Sequence, residues 1–175
     1  MRRLPVAVLV LWALAALAAP WLPLDPSRVD LTAILVPPQL WQHAGGGGAA
    51  GTAGQVLGTD DLGRPVLDRL LSGARTSFLV GAGVVTLSAL VGTLLGAVAA
   101  LAGGWADLLL VRLVDVFLAF PGILLAIALA GILGPGVDNV ILALAVVGWV
   151  GYARLVRAQV LTLKQRDHVA AARAL

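Results

Sequence analysis

Long apolar runs that contain no charged residue are the dominant pattern of this chain. Four of them follow one another, and the last is the shortest. About 20 apolar residues are needed to cross the hydrocarbon core of a bilayer as a helix, so each run predicts one membrane span. The predicted spans cover about residues 4–24, 76–102, 108–133 and 138–156. The expected fold class is therefore all-α, a polytopic bundle of transmembrane helices.

The first run has two interpretations. Arg2 and Arg3 precede an apolar core and small residues up to Ala18, which is the pattern of a cleavable signal peptide. The run continues, however, through Trp21 and Leu22, and this length suits an anchor that stays in the bilayer. We expect an uncleaved anchor, with the signal peptide as the alternative.

Cationic residues in short loops favour the cytoplasmic side of a membrane. Arg2 and Arg3 therefore predict a cytoplasmic N-terminus, and four spans return the chain to the same side. The segment 148–175 lies there as a basic amphipathic helix that follows an apolar span. It carries five of the twelve cationic side chains, namely Arg154, Arg157, Lys164, Arg166 and Arg173. The segment 25–75 is expected on the outer side.

The outer segment contains a linker and a helix. Residues 44–54 read AGGGGAAGTAG, which is typical of a flexible linker. A phosphate-binding loop is the alternative, but it needs a Gly-Lys-Ser/Thr sequence, and the only lysine is Lys164. In residues 57–75, apolar positions share one helical face after Pro65, so we expect a helix lying on the bilayer. Its N-terminal cap is expected from Thr59, Asp60 or Asp61.

Three predicted parts follow from these patterns: 1–56 as an anchor helix and extracytoplasmic linker, 57–75 as an interfacial helix, and 76–175 as a partial transmembrane domain. Within the last part, small residues at Gly92, Gly96, Ala100 and Gly104 recur every four positions, a spacing that favours close helix contacts in lipid.

Three positions in the third span are candidate pathway or surface residues. Pro121 removes one helical hydrogen bond and predicts a kink. Arg112 and Asp115 lie three positions apart on one face near the end of the span. Charges at membrane depth are costly and often functional, but charges near a helix end reach water. We expect Arg112 and Asp115 to serve mainly as anchors at the inner surface.

Composition supports a membrane protein without an active site. Hydrophobic residues make up 60% of the chain and charged residues 12%, against about 45–50% and about 25% in soluble domains. The net charge of +3 does not indicate nucleic acid, because the cations flank apolar runs. Cysteine and glutamate are absent, and His43 and His168 stand alone. We therefore expect no catalytic residue, no cofactor and no metal site.

Four segments in consistent order resemble the inner-membrane permease of a binding-protein-dependent ABC importer. The resemblance is to the dipeptide/oligopeptide/nickel permease group with the MetI-like type I fold, and it covers nearly the whole chain. The segments are Leu57-Gly-Thr-Asp-Asp-Leu-Gly-Arg64, Arg112-Leu-Val-Asp-Val-Phe-Leu-Ala-Phe-Pro121, Gly148-Trp-Val-Gly-Tyr-Ala-Arg-Leu-Val-Arg157 and Ala171-Ala-Arg-Ala-Leu175.

The resemblance implies a multi-pass subunit of a bacterial or archaeal plasma membrane. Its partners would be a separate ATP-binding subunit, a second permease in a heterodimer and an extracytoplasmic solute-binding protein. The last segment resembles the start of the EAA loop, a coupling helix that docks on the ATP-binding subunit. The residues that it assigns to coupling are Ala171, Ala172, Arg173, Ala174 and Leu175.

Two features depart from the family pattern. Ala170 stands where the family usually has glutamate, and four of the usual six spans are present, so we expect a fragment. Di- or oligopeptides are the expected cargo, with nickel and other small solutes as alternatives. A four-span membrane anchor or assembly protein without transport is the rival hypothesis, and a small membrane enzyme is a third.

Overall fold

The computed structural model describes residues 3–38 and 56–174, and this part of the chain is helical without a regular strand. The all-α class predicted from the sequence is confirmed. The predicted linker at 44–54 and His43 lie outside the described residues. The helices are α1 Arg3–Ala18, α2 Val66–Ala102, α3 Gly104–Ala119, α4 Gly122–Leu133, α5 Val137–Lys164 and α6 Asp167–Ala174, with a 3-10 turn at Ala19–Trp21.

Three helical segments of the described chain are long and apolar enough to cross a membrane. They are Leu4–Trp21, α2 and α5. Together, α3 and α4 are also long and apolar enough, but they are bent by 88° relative to each other, and they make a fourth span if the pair crosses as one. The chain therefore has the helices of a multi-pass membrane protein, in the order that its apolar runs predict.

The chain consists of two compact units, Met1–Leu79 and Val80–Leu175. In the first unit, α1 packs against the N-terminal part of α2. Trp12 Nε1 donates a hydrogen bond to the carbonyl oxygen of Ala74 at 3.2 Å, and its ring meets Phe78 edge-on at a centroid distance of 5.8 Å. A single tryptophan thus fixes the two helices of this unit.

Two loops of the first unit, residues 30–36 and 58–65, are joined by hydrogen bonds, and we call them the paired loops. Backbone bonds join Thr59 N to Val36 O at 3.0 Å and Leu35 N to Asp60 O at 3.1 Å. The Thr59 hydroxyl, which is buried, donates to Ala33 O at 2.5 Å. Gly63 has a φ of +70° beside the backbone of Asp30, a conformation that only glycine adopts easily.

The beginning of α2 differs from the prediction for residues 57–75. Residues 57–65 are not helical. The helix starts at Val66 and continues without a break to Ala102, so no boundary occurs near residue 75. Asp60 is one of the three residues from which the helix cap is expected, but its carboxylate accepts the N–H groups of Leu62 and Arg64 within its own loop. Pro65 lies just before the first helical residue. Proline has no backbone N–H, and this is tolerated here because an N–H at the start of α2 would have no partner within the helix.

In the second unit, α2 and α5 approach backbone to backbone. A Cβ on Gly96 would lie 2.5 Å from the carbonyl oxygen of Ala153, and Ala100 is fully buried. Gly92 also faces the backbone of α5, so two of the four small residues at the predicted spacing, Gly92 and Gly96, lie in this contact. Gly104 is exposed at the start of α3 and lies outside it.

The predicted third span over 108–133 is two helices. α3 ends at Ala119, Phe120 is extended with φ −99° and ψ 141°, and α4 begins after Pro121. The proline ring disfavours helical backbone at the residue before it, so the chain leaves the helix at Phe120. The kink expected at Pro121 is therefore a complete break, and it turns α4 by 88°.

Candidate functional site

Helix α6 is attached to the end of α5 by only two residues. Gln165 N bonds Thr162 O at 3.3 Å, and Arg166 N bonds Leu163 O at 3.1 Å, so the connection is a tight turn. Asp167 stands in the first turn of α6, where a carboxylate favours the helix dipole. Any force on α6 therefore acts first on the end of α5.

Four of the five predicted coupling residues, Ala171 to Ala174, fall on α6. Ala171 and Ala172 are exposed. Arg173 and Ala174 belong to the helix, although their side chains lie outside the described part, and Leu175 lies outside the described residues. Two methyl side chains thus present a low, accessible surface on α6, which allows close approach of another protein.

Asp107 and Arg157 form a bidentate ion pair. Arg157 Nε donates to Asp107 Oδ1 at 2.5 Å, and Nη2 donates to Oδ2 at 2.6 Å. The arginine side chain is 31% exposed and the aspartate 22%. Asp107 lies in the first turn of α3 and Arg157 lies on α5. Because two parallel hydrogen bonds fix direction as well as distance, the pair sets the position of α3 relative to α5.

Lys164 joins the same region to α2. Its ammonium group donates to the carbonyl oxygens of Ala100 at 2.9 Å and Leu101 at 3.3 Å. The last carbonyl groups of a helix have no donor within that helix, so Lys164 satisfies the C-terminus of α2. We call Asp107, Arg157 and Lys164 the clasp, because these three side chains hold the ends of α2, α3 and α5 together.

A small apolar core lies behind the clasp. It consists of buried side chains from α2, α3 and α5, and Phe117 meets Trp149 edge-on at a centroid distance of 5.5 Å. The members are Ala99, Leu110, Val114, Trp149, Val150 and Ala153. This core gives the three helices a common packing surface, and the clasp closes one end of it.

The structure separates the three candidate residues of the third predicted span. Arg112 is exposed on α3, and Pro121 is exposed at the break. Asp115 lines a groove of about 400 Å³ together with Arg154 and Arg157. Arg112 and Asp115 are both described, and they form no ion pair with each other. The structure therefore does not bring these three residues into one site.

No three potential metal ligands come together in the part of the chain that the structure describes. The charged groups of the clasp form an ion pair and a helix cap. These bonds hold the ends of α2, α3 and α5 together next to α6.

Reasoning from the sequence missed the clasp. Asp107 and Arg157 are 50 residues apart, and Lys164 meets its partners across more than 60. A signal was present, since the topology predicted from charge puts the 103–107 loop and the basic 148–175 segment on one side. A lone aspartate in that loop opposite a cluster of cations indicates a pair, but the choice among five cations needs the structure.

Comparison with known proteins agrees with this architecture. Residues 92–175 match the family described as binding-protein-dependent transport system inner membrane component. The chain is 43% identical to the di/tripeptide transport system permease protein DppC of Pseudomonas aeruginosa over 94% of the chain and 52% of that protein. It is 40% identical to the dipeptide transport system permease protein DppC of Haemophilus influenzae, covering 90% of the chain and 51% of that protein.

A nickel transport system permease protein, NikC of Escherichia coli strain K12, is 38% identical over 98% of the chain and 57% of its own length. The chain thus spans about half the length of the curated relatives that it matches.

Proposed function

Since the chain belongs to the family of binding-protein-dependent transport system inner membrane components, we propose that it is the permease subunit of an ATP-driven importer. In this proposal it forms half of a translocation pathway, and a second permease supplies the other half. A solute-binding protein delivers the cargo on the outer side, and a separate ATP-binding subunit drives the cycle.

The observation that carries the proposal is the placement of α6. A connection of two residues joins this short helix to α5, and the side chains of Ala171 and Ala172 are exposed. Small side chains let a partner's backbone or a groove approach closely, so α6 is suited to dock on a soluble subunit. We assign α6 as the coupling helix, the position that the sequence resemblance gives to this segment.

A separate ATP-binding subunit is consistent with the residues of this chain. A Walker A loop needs a glycine followed by lysine and serine or threonine. The only lysine, Lys164, follows Leu163, and its ammonium group is bound to carbonyl groups of α2. This lysine therefore serves the fold, which supports the proposal that a separate subunit hydrolyses ATP.

The proposed orientation places the N-terminus and α6 in the cytoplasm. Arg2 and Arg3 precede the first span, and the basic segment that ends in α6 follows the last. An even number of crossings puts both on one side, where cationic loops are favoured. Four crossings require that α3 and α4 cross as one broken span.

The proposed cargo is a di- or oligopeptide. Two of the relatives reported above are dipeptide or di/tripeptide permeases, and one is a nickel permease. The higher identities belong to the peptide permeases, and they support the peptide class. We expect the binding protein to make most of the choice among peptides, because the pathway is shared between two permeases.

A substitution at Ala172 tests the coupling role in the assembled importer. Ala172→Trp adds a bulky ring to the proposed docking surface, whereas Ala172→Ser keeps the side chain small. We expect the tryptophan variant to lose co-purification with the ATP-binding subunit and ATP-driven peptide uptake, and the serine variant to keep both. Undiminished binding and uptake in the tryptophan variant would contradict the assignment of α6 as the coupling helix.

A further inference from the structure

We propose that the clasp transmits movement of α6 to α2 and α3, so that Asp107, Arg157 and Lys164 are positioning residues for transport. The inference rests on the proposed function, because it assumes that α6 is the helix moved by the ATP-binding subunit. It goes further by naming the side chains that carry this movement into the membrane helices.

The path starts at the short connection between α6 and α5. Lys164 is the last residue of α5, and only Gln165 and Arg166 separate it from α6. Two residues in a hydrogen-bonded turn cannot absorb a large displacement. A movement of α6 therefore displaces Lys164 first.

Two points on α5 then hold two different helices. Lys164 bonds the final turn of α2, and Arg157 bonds the first turn of α3. Seven residues of helix separate these points, which is about 10 Å along the axis of α5. The end of α5 thus grips both sides of the connection between α2 and α3.

The connection itself offers little resistance to rotation. Gly103 and Gly104 both have positive φ, at 67° and 54°, and a Cβ on either would meet no atom within 4 Å. The two glycines themselves therefore make no side-chain contact that fixes the angle between α2 and α3. The clasp and the core behind it set that angle, so a shift of α5 is passed on to both helices.

A purely structural pair gives a different result from a transmitting one. If the ion pair only stabilises the bundle, its removal reduces the amount of folded importer, so uptake and ATP hydrolysis fall together. If the clasp transmits movement, the ATP-binding subunit continues to hydrolyse ATP while less peptide is carried. The ratio of peptide imported to ATP hydrolysed separates these two roles.

The test uses the complete importer in proteoliposomes with its binding protein and a dipeptide as the transported probe. Variants are Asp107→Asn, Arg157→Gln, the exchanged pair Asp107→Arg with Arg157→Asp, Lys164→Ala and Lys164→Arg. Matched controls are Asp138→Asn, in the first turn of α5, and Arg154→Gln, one turn from Arg157; both side chains are exposed.

We expect Asp107→Asn, Arg157→Gln and Lys164→Ala to lower the ratio of uptake to hydrolysis by about fivefold or more, the range of ordinary coupling between sites. The exchanged pair should recover at least half of the ratio, Lys164→Arg should keep most of it, and the controls should leave it unchanged.

Unchanged ratios in all three clasp variants, or ratios that fall equally in the controls, would overturn the role of the clasp. The proposed function would survive either outcome, because it is tested separately by the loss of ATPase binding in Ala172→Trp. If a single variant fails to assemble, the exchanged pair and Lys164→Arg still decide, since each restores the bonds without the native residues.

Discussion

Gly96 on α2 lies directly against the backbone of Ala153 on α5. A Cβ at position 96 would stand 2.5 Å from the Ala153 carbonyl oxygen and 3.1 Å from its Cα. Ala153 is fully buried, and its backbone cannot move aside as a flexible side chain would. Because helices in lipid associate through packing, this contact sets how closely α2 and α5 approach.

Gly96→Ala should therefore separate the two helices and destabilise the protein. Overpacking of a close contact costs about 1–3 kcal/mol, so the midpoint of thermal unfolding in detergent should fall. Gly151→Ala on α5 is the matched control, because a Cβ there would meet no atom within 4 Å. It should keep or raise the midpoint, since alanine favours helix over glycine. Equal midpoints in the two variants would contradict the packing.

Ser88 and Gly148 form a second close contact between α2 and α5. A Cβ on Gly148 would lie 2.6 Å from Ser88 Oγ but 3.4 Å from Ser88 Cβ. The serine is 1% exposed, and its hydroxyl has no hydrogen-bond partner among the described residues. The hydroxyl therefore costs desolvation without a compensating bond, and it alone obstructs a larger residue at position 148.

This arrangement predicts strong coupling between two substitutions. Ser88→Ala should be neutral or stabilising, and Gly148→Ala should destabilise. In the double variant the alanine at 148 meets only an ordinary contact, so most of the lost stability should return. A double-mutant cycle on thermal unfolding should give a coupling energy of about 1–2 kcal/mol. Simple additivity of the two effects would show that the hydroxyl is not the obstruction.

The break at Pro121 should depend on the proline. Pro121→Ala removes the steric penalty on helical backbone at Phe120, so α3 and α4 can join. Spin labels at Leu109 and Ile132, both exposed, report the angle. At 1.5 Å per residue the labelled backbone positions are about 35 Å apart in a straight helix and about 25 Å apart with the observed bend. We expect a longer population only in the alanine variant; identical distributions would assign the bend to packing of α4.

Asp60 should make the stability of the paired loops depend on pH. Partial burial by itself raises the pKa of this carboxyl, but the N–H groups of Arg64 and Leu62 and the Arg64 guanidinium outweigh it, and the pKa lies well below its ordinary value. A lowered folded pKa means that the carboxylate stabilises the fold at every pH above about 4. This contribution is lost as the pH falls toward the folded pKa.

Asp60→Asn should accordingly lower the thermal midpoint at pH 7. The difference from the unsubstituted protein should stay constant down to about pH 4 and shrink below it. Asp61→Asn is the control, because that side chain is 80% exposed and lies 4.0 Å from Arg64. A difference that disappears between pH 7 and pH 5 would show that another group titrates.

The sequence predicts the helices more reliably than their joints. Charge-free runs define the spans because a bilayer requires about 20 apolar residues whatever the tertiary packing. The start of α2 was mispredicted, because an amphipathic face in residues 66–75 fits a separate surface helix as well as an extension of the span. The full break after Ala119 was predicted only as a kink, since the proline fixes its own backbone but not the direction of α4.

The candidate site was predicted in part for a similar reason. The position of α6 follows from its motif and from the apolar run before it. The clasp depends on which helix faces meet, and the interval between Asp107 and Arg157 carries no local periodicity. Only the close approach of α2 to α5, set by Gly92 and Gly96, brings Lys164 to the end of α2.

The most direct measurement of the central claim is cross-linking from α6 in the complete importer. Residues 1–175 contain no cysteine, so Ala172→Cys and Ser27→Cys each introduce a single thiol into this part of the protein. A thiol–amine cross-linker should join the thiol at position 172 to the ATP-binding subunit, and an impermeant reagent should label it only in inside-out vesicles. The thiol at position 27 should be labelled only from the opposite side. Cross-linking from position 27, or none from position 172, would contradict the account.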